Sequence, residues 1–175
     1  MNGHDKKRRL VFWARVMSSM GIHEEGGNNQ GPAIEFFQML ADGIAAKEAW
    51  CLSFARGLVR LIDDEEDAVR LQSAAPSPLS MTEHCLTLWR KSEAQRAPAP
   101  EPGCLVLWRH GESDQGHAGV VVEVDIETGT FWSVEGNTSQ GPQVEREGDG
   151  VRLRQRGMAG LGKMKVLGFL DPWKE

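Results

Sequence analysis

The stretch Glu48–Leu61, EAWCLSFARGLVRL, limits what this chain can fold into more than any other. Wound as a helix at about 100° per residue, it gathers its polar residues after the opening turn, Ser53, Arg56 and Arg60, on one narrow stripe. Trp50, Leu52, Phe54, Ala55, Leu58, Val59 and Leu61 cover most of the remaining circumference. A helix so widely apolar is buried on several sides, so other elements must wrap around it, and its polar stripe is expected at the outer surface. Cys51 falls in the first turn, away from that stripe, where the positive end of the helix macrodipole favours a thiolate. Taken alone, the thiol is as well explained by packing, because free Cys is among the most buried residue types.

The flanking sequence supplies the elements that such a helix needs. Asp5–Met20 has Leu10, Trp13, Val16 and Met17 at helical spacing and ends near Gly21. Basic residues precede its apolar run as in an export signal, but Arg15 interrupts the run, so an amphipathic helix is expected and synthesis in the cytoplasm without a signal peptide. No stretch is long enough to cross a bilayer. The loop His23–Pro32 leads to a second helix, with Pro32 suited to its first position, Ile34, Phe37 and Leu40 or Ala41 on one face, and Asp42–Gly43 closing it. The acidic run Asp63–Asp67 reads as a solvated surface that stops the central helix, because acidic residues oppose the dipole at a helix C-terminus. Gln72–Pro78 is loop-like; Ser80 with Glu83 forms a capping-box pattern for a further helix carrying Cys85, Leu86 and Trp89 or Arg90.

The Pro-rich connector Ala97–Gly103 is the clearest punctuation, and strand patterns follow it. These are Cys104–Arg109, Ala118–Val124, Thr130–Glu135, a candidate at Gln143–Glu147, Val151–Gln155 and Met164–Leu170, separated by turns rich in Gly and Asp. Helices followed by an antiparallel meander make an α+β fold. The 175 residues are expected to form one domain: an N-terminal helix (1–22), a helical half with the thiol (23–96) and a sheet half (104–171). A net charge of −5 argues against a general nucleic-acid binder. Three cysteines at irregular spacing, Cys51, Cys85 and Cys104, suit neither a disulfide framework nor a zinc site.

Chemistry gathers around one hairpin. If Asp125 or Val124 pairs with Thr130, His117 lies opposite or next to Asn137, and Glu135 shares a face with Asn137. A thiol nucleophile needs an imidazole to take its proton, and the imidazole needs a third polar group to orient it. Cys51, His117 and either Glu135 or Asn137 supply those residue types.

The stretches Ala49–Val59, Pro102–Trp108, Gly116–Val124 and Trp132–Ser139 occur in an order and spacing that resembles the CHAP family, cysteine, histidine-dependent amidohydrolases/peptidases related to the NlpC/P60 group of the papain-like superfamily. Gly26–Phe37 and Thr82–Trp89 also look like elements of bacterial and phage members. The resemblance implies a papain-like fold, with N-terminal helices packed on a five- to six-stranded antiparallel sheet. It implies hydrolysis of an amide bond in peptidoglycan or its muropeptides, at the muramoyl–alanine link or within the stem peptide or cross-bridge. In that scheme Cys51 is the nucleophile, His117 the base, Glu135 its orienting residue and Asn137 an accessory. The Cys51 backbone N–H with Asn29 or Gln30 would hold the oxyanion, and Trp50, Asn29 and Gln30 are the candidates for substrate contact. Delivery to the wall by phage lysis, a tail structure or a secretion assembly is the corresponding expectation.

The chain departs from the family pattern where Leu52 and Ser53 follow the nucleophile and where Cys104 stands in place of an Asp. Glu24–Glu25 is too little for the acidic calcium loop of some members, so neither a metal nor a cofactor is expected. His23, His84 and His110 are expected in loops or at the surface, Cys85 and Cys104 in the core, and Trp50, Trp108 and Trp132 as core or cleft walls. Two rival functions remain compatible with the residues: a non-enzymatic binding or assembly protein on the same fold, and a papain-like peptidase or deamidase acting on a protein.

Overall fold

The wide apolar circumference of the central helix is matched by packing on several sides. In the structure, a computed structural model that describes residues 1–70, 79–139, 148–160 and 162–174, α3 (Cys51–Arg70) packs against α1 (Gly3–Ser19), α2 (Pro32–Asp42) and the sheet strands β3 (Gly116–Asp125) and β4 (Thr130–Thr138). Trp50, Leu52, Phe54, Leu58 and Ile62 are all fully or nearly fully buried in the main core. Phe54 meets Phe37 of α2 edge to face, with ring centroids 5.1 Å apart.

The described residues form an α+β fold of four helices and one six-stranded antiparallel sheet, completed by α4 (Cys85–Lys91), β1 (Arg96–Ala97), β2 (Leu105–His110), β5 (Gly150–Gly157) and β6 (Met164–Leu170). The strand order is β1-β6-β2-β3-β4-β5. It is therefore more than a meander: β6 passes over to pair with β2, leaving β5 at one edge. β1, within and just before the Pro-rich connector, pairs with the far side of β6 through Arg96 and Ala97. Register shifts interrupt the ladders near Leu107, Val121 and Glu135, and such irregularities bend and twist a strand locally. One sheet face joins the helices in the main core. The other carries a second cluster built from Cys104, Val106, Trp108, Val121, Phe131 and Phe169, with no described helix residue among its members.

Three local expectations are corrected. The acidic run does not end α3, which continues through it to Arg70. Asp63 is not solvated; it accepts from Lys6 Nζ at 2.9 Å and from Trp173 Nε1 at 2.8 Å, and Asp64 pairs with Arg60 one turn earlier. The polar stripe of α3 does not face solvent along its first two turns either, since Ser53 and Arg56 are fully buried, while Arg60 stays partly exposed. Neighbouring segments supply their partners: Ser53 Oγ donates to Glu83 Oε1 at 2.8 Å, and the Arg56 guanidinium donates to the carbonyls of Ala41 and Leu79. Glu83 is thereby engaged away from any capping box. α4 starts five residues beyond Ser80, at Cys85, with His84 as its N-cap. The candidate strand Gln143–Glu147 and the loop Gln72–Pro78 lie outside the described residues.

The closeness of α3 to β4 depends on Gly136. A Cβ there would lie 2.6 Å from the Phe54 Cβ and 2.8 Å from the Trp50 ring. Gly136→Ala should therefore cost about 1–3 kcal/mol by overpacking, read as a lower midpoint in urea denaturation with an unchanged slope.

Candidate active site

The β3–β4 hairpin turns at Ile126–Gly129, with Asp125 opposite Thr130. The register shift between Val121 and Glu123 then brings Val121 opposite Ser133. Because alternate residues share a face, His117, Gly119 and Val121 lie on the same side as Ser133 and Glu135. Glu135 is fully buried there, and its Oε2 lies 2.9 Å from His117 Nε2.

A buried carboxylate must be neutralised or fully hydrogen-bonded. Glu135 is both. Arg156 of β5 donates from Nε to Oε1 at 2.8 Å and from Nη2 to Oε2 at 2.6 Å, while Ser133 Oγ donates to Oε1 at 2.6 Å. Burial alone would raise the Glu135 pKa, but Arg156, then His117, outweigh it and hold the carboxyl down at about 2. Sequence reading singled out neither Arg156 nor Ser133. In VRLRQR the arginine looks like one of several exposed charges on an alternating strand; the signal available was that the Phe131–Arg156 pairing puts it on the Glu135 face.

The imidazole is restrained from several sides. Its Nε2 is taken by Glu135, which leaves Nδ1 for the thiol, and its ring lies against Trp108 with centroids 5.4 Å apart. Cys51 and His117 line the same cleft, and each shifts the ionisation of the other. Burial acts against a charged His117, but the Cys51 hydrogen bond and charge, reinforced by Glu135, keep its pKa up at about 10. Cys51 is held well below the ordinary thiol range by a hydrogen bond from Cys85, against the opposing effect of burial, and by His117. The arrangement is a thiolate–imidazolium pair, with the thiolate at the first residue of a helix.

These groups open into a cleft of about 820 Å³. Asn29, Cys51, Glu83, Cys85, His117 and Asn137 contribute to its wall, with the exposed His84 and His110 nearby on its rim. Cys85, expected to be only a core residue, thus borders the same cleft as Cys51. Glu83 sits among carboxylates: one oxygen each from Asp42, Glu48 and Glu83 lies within 4.8 Å of the others. Burial, then a hydrogen bond with Glu48, pushes the Glu83 pKa up to about 8, so Glu83 holds its proton at neutral pH. A second group of potential ligands, Glu101, Cys104 and Asp171, is occupied by Lys7, whose Nζ lies 2.9 Å from both carboxylates.

The remaining sequence candidates fall into distinct places. Asn137 adopts a left-handed backbone conformation (φ 52°), which Asn tolerates. Its amide is satisfied with the oxygen accepting from Trp50 N–H at 3.3 Å and the nitrogen donating to the Gly148 carbonyl. It therefore fastens β4 to the start of α3 and is not bonded to His117. Trp50 is fully buried and donates from Nε1 to Glu24 Oε1 at 2.9 Å, so packing and not substrate contact is its place. Asn29, also left-handed at φ 56°, reaches the cleft; Gln30 is not part of its wall and closes a backbone turn with Gly27 and Glu25. His23 is exposed and bonds the Gly21 carbonyl at 2.8 Å.

Comparison with family models, curated proteins and solved structures returns no match for this chain.

Arg156→Met tests whether the guanidinium holds the buried carboxylate. Removing one member of a buried ion pair leaves the other uncompensated, at a cost of about 3–5 kcal/mol. Denaturant unfolding should show a loss of that size, and Arg156→Lys should recover only part of it because an ammonium cannot make the two-pronged contact.

Proposed function

We propose that the chain is a cysteine amidohydrolase/peptidase of papain-like type that cleaves an amide bond of peptidoglycan, at the muramoyl–alanine link or within the stem peptide or cross-bridge. The observation that carries the reading is Cys51 and His117 together on the wall of a cleft, with His117 backed by the buried Glu135 that Arg156 locks in place. In this reading Cys51 is the nucleophile, His117 the base and Glu135 the orienting group. The choice of substrate rests on the resemblance of the Trp50–Cys51, Gly116–His117 and Glu135–Thr138 stretches to wall-acting cysteine hydrolases.

The chemistry follows from the positions. Cys51 Sγ attacks the carbonyl carbon, and the carbonyl π electrons move onto oxygen. α3 begins at Cys51, so its N–H is one of the helix-start donors without an intrahelical acceptor and is available to the oxyanion. Asn29, on the same cleft wall, is the candidate for a second donor. His117 passes its proton to the departing amine as the C–N bond breaks, leaving a thioester on Cys51. Water, deprotonated by His117, then attacks the thioester and returns the thiolate. Glu135 stays ionised throughout and fixes the ring.

Action at the wall requires delivery, by phage lysis, a tail structure or a secretion system. Among the described residues no helix is long and apolar enough to cross a membrane.

The test is digestion of purified peptidoglycan by wild type and Cys51→Ala, with released fragments identified by mass. Wild type should release fragments whose masses name the bond, and the variant should be slower by at least about 10³-fold, as for loss of a nucleophile in a hydrolase triad. Equal release by both proteins overturns the assignment. Release from a protein substrate with none from walls selects a peptidase or deamidase instead.

A further inference from the structure

Cys85 is the group near the catalytic series that the hydrolytic chemistry leaves unused. It is the first residue of α4, as Cys51 is the first residue of α3, and both side chains border the same cleft. Each thiol is the largest single influence on the other's hold on its proton. The close approach is built into the backbone: a Cβ on Gly116, the residue before His117, would lie 2.6 Å from the Cys85 Cβ. Only a residue without a side chain lets α4 come this near the strand that presents the imidazole. The two members of the pair also differ in character. Cys51 carries the anion, while the hydrogen bond to Cys51, with burial, keeps Cys85 protonated well above the usual thiol range. Both thiols are free, and the third, Cys104, is buried away from the cleft in the second cluster.

We propose that Cys51 and Cys85 form a reversible redox-modification site, in which a small hydroperoxide converts the pair into an intrachain disulfide. The Cys51 thiolate attacks one peroxide oxygen, the O–O bond breaks, and the leaving oxygen takes the His117 proton to depart as water, or as an alcohol from an organic peroxide. Cys51 is left as a sulfenic acid. The Cys85 sulfur attacks the Cys51 sulfur, the S–O bond breaks, and hydroxide leaves with the Cys85 proton as a second water. In sum, two thiols are oxidised by two electrons and one peroxide is reduced. A dithiol reductant reverses the change by exchange. A low-pKa thiolate with a neighbouring resolving thiol is the usual arrangement of a peroxide-sensitive cysteine. The site requires that Cys51 be a thiolate beside Cys85; it does not require that the chain cleave peptidoglycan.

The experiment exposes purified full-length protein to equimolar hydrogen peroxide, blocks the remaining thiols and maps unreduced peptides by mass. The expected result is loss of two free thiols per chain, a Cys51–Cys85 cross-linked peptide, an alkylated Cys104, and recovery of both thiols with dithiothreitol. The Cys104→Ser variant should give the same cross-link. In Cys85→Ser, Cys51 should stop as a sulfenic acid that dimedone captures. If that variant does not fold, the wild-type map decides alone. Dimedone capture or sulfinic acid at Cys51 in the wild type with Cys85 still alkylatable overturns the proposal, as does a disulfide that joins two chains.

Discussion

The arrangement rests on one buried carboxylate. Glu135 has no exposed surface, and an unpaired charge in that position would be untenable. The strands around it are set by the need to serve it. β5 brings Arg156, β4 brings Ser133 two residues away on the same face, and β3 brings His117. Gly119 leaves the space, since a Cβ there would lie 2.8 Å from the Glu135 Cγ. Because Arg156 and Ser133 already satisfy the carboxylate, its remaining interaction orients the imidazole without taking up its proton. The positive imidazole in turn supports the thiolate at the start of α3. The chemistry of the cleft therefore depends on residues that never reach it.

The central helix follows the same logic of compensation. Ser53 and Arg56 are not turned to water; α2 and the segment before α4 close over them and provide their oxygen partners. The helix is buried around nearly its whole circumference, which fixes its direction as well as its depth. Asn137, bonded to the Trp50 N–H, and Gly136, pressed against Phe54, fix its first turn against β4. Cys51 therefore sits on a well-packed element that holds it in a set position beside His117.

Features encoded by neighbouring residues were legible in the sequence. The period of α3 and the turn at Ile126–Gly129 follow from short-range pattern, whereas His117 and Glu135 come onto one face only through the register shift between Val121 and Glu123, which has no such signature. Features decided by distant partners were not. Arg156 reads as a surface charge until β5 is paired with β4, and Cys85 reads as core until α4 is packed against Gly116. Asp63 reads as part of a helix stop because its partners Lys6 and Trp173 lie at opposite ends of the chain. The return of β6 to β2 likewise has no local signature, since either edge of a meander can accept an antiparallel strand.

The central claim is that Cys51 and His117 form an ion pair maintained by Glu135. The direct measurement is the rate of Cys51 alkylation by iodoacetamide as a function of pH, read from the modified peptide so that Cys85 and Cys104 do not contribute. The account predicts a rate already on its plateau at neutral pH, with the fall confined to acid pH, and a much lower neutral rate in His117→Ala, where Cys51 loses the cation. The pair itself should dissolve as pH rises through about 10, where His117 gives up its proton. A wild-type rate that climbs through an ordinary thiol pKa of about 8.5, unchanged by His117→Ala, would contradict it.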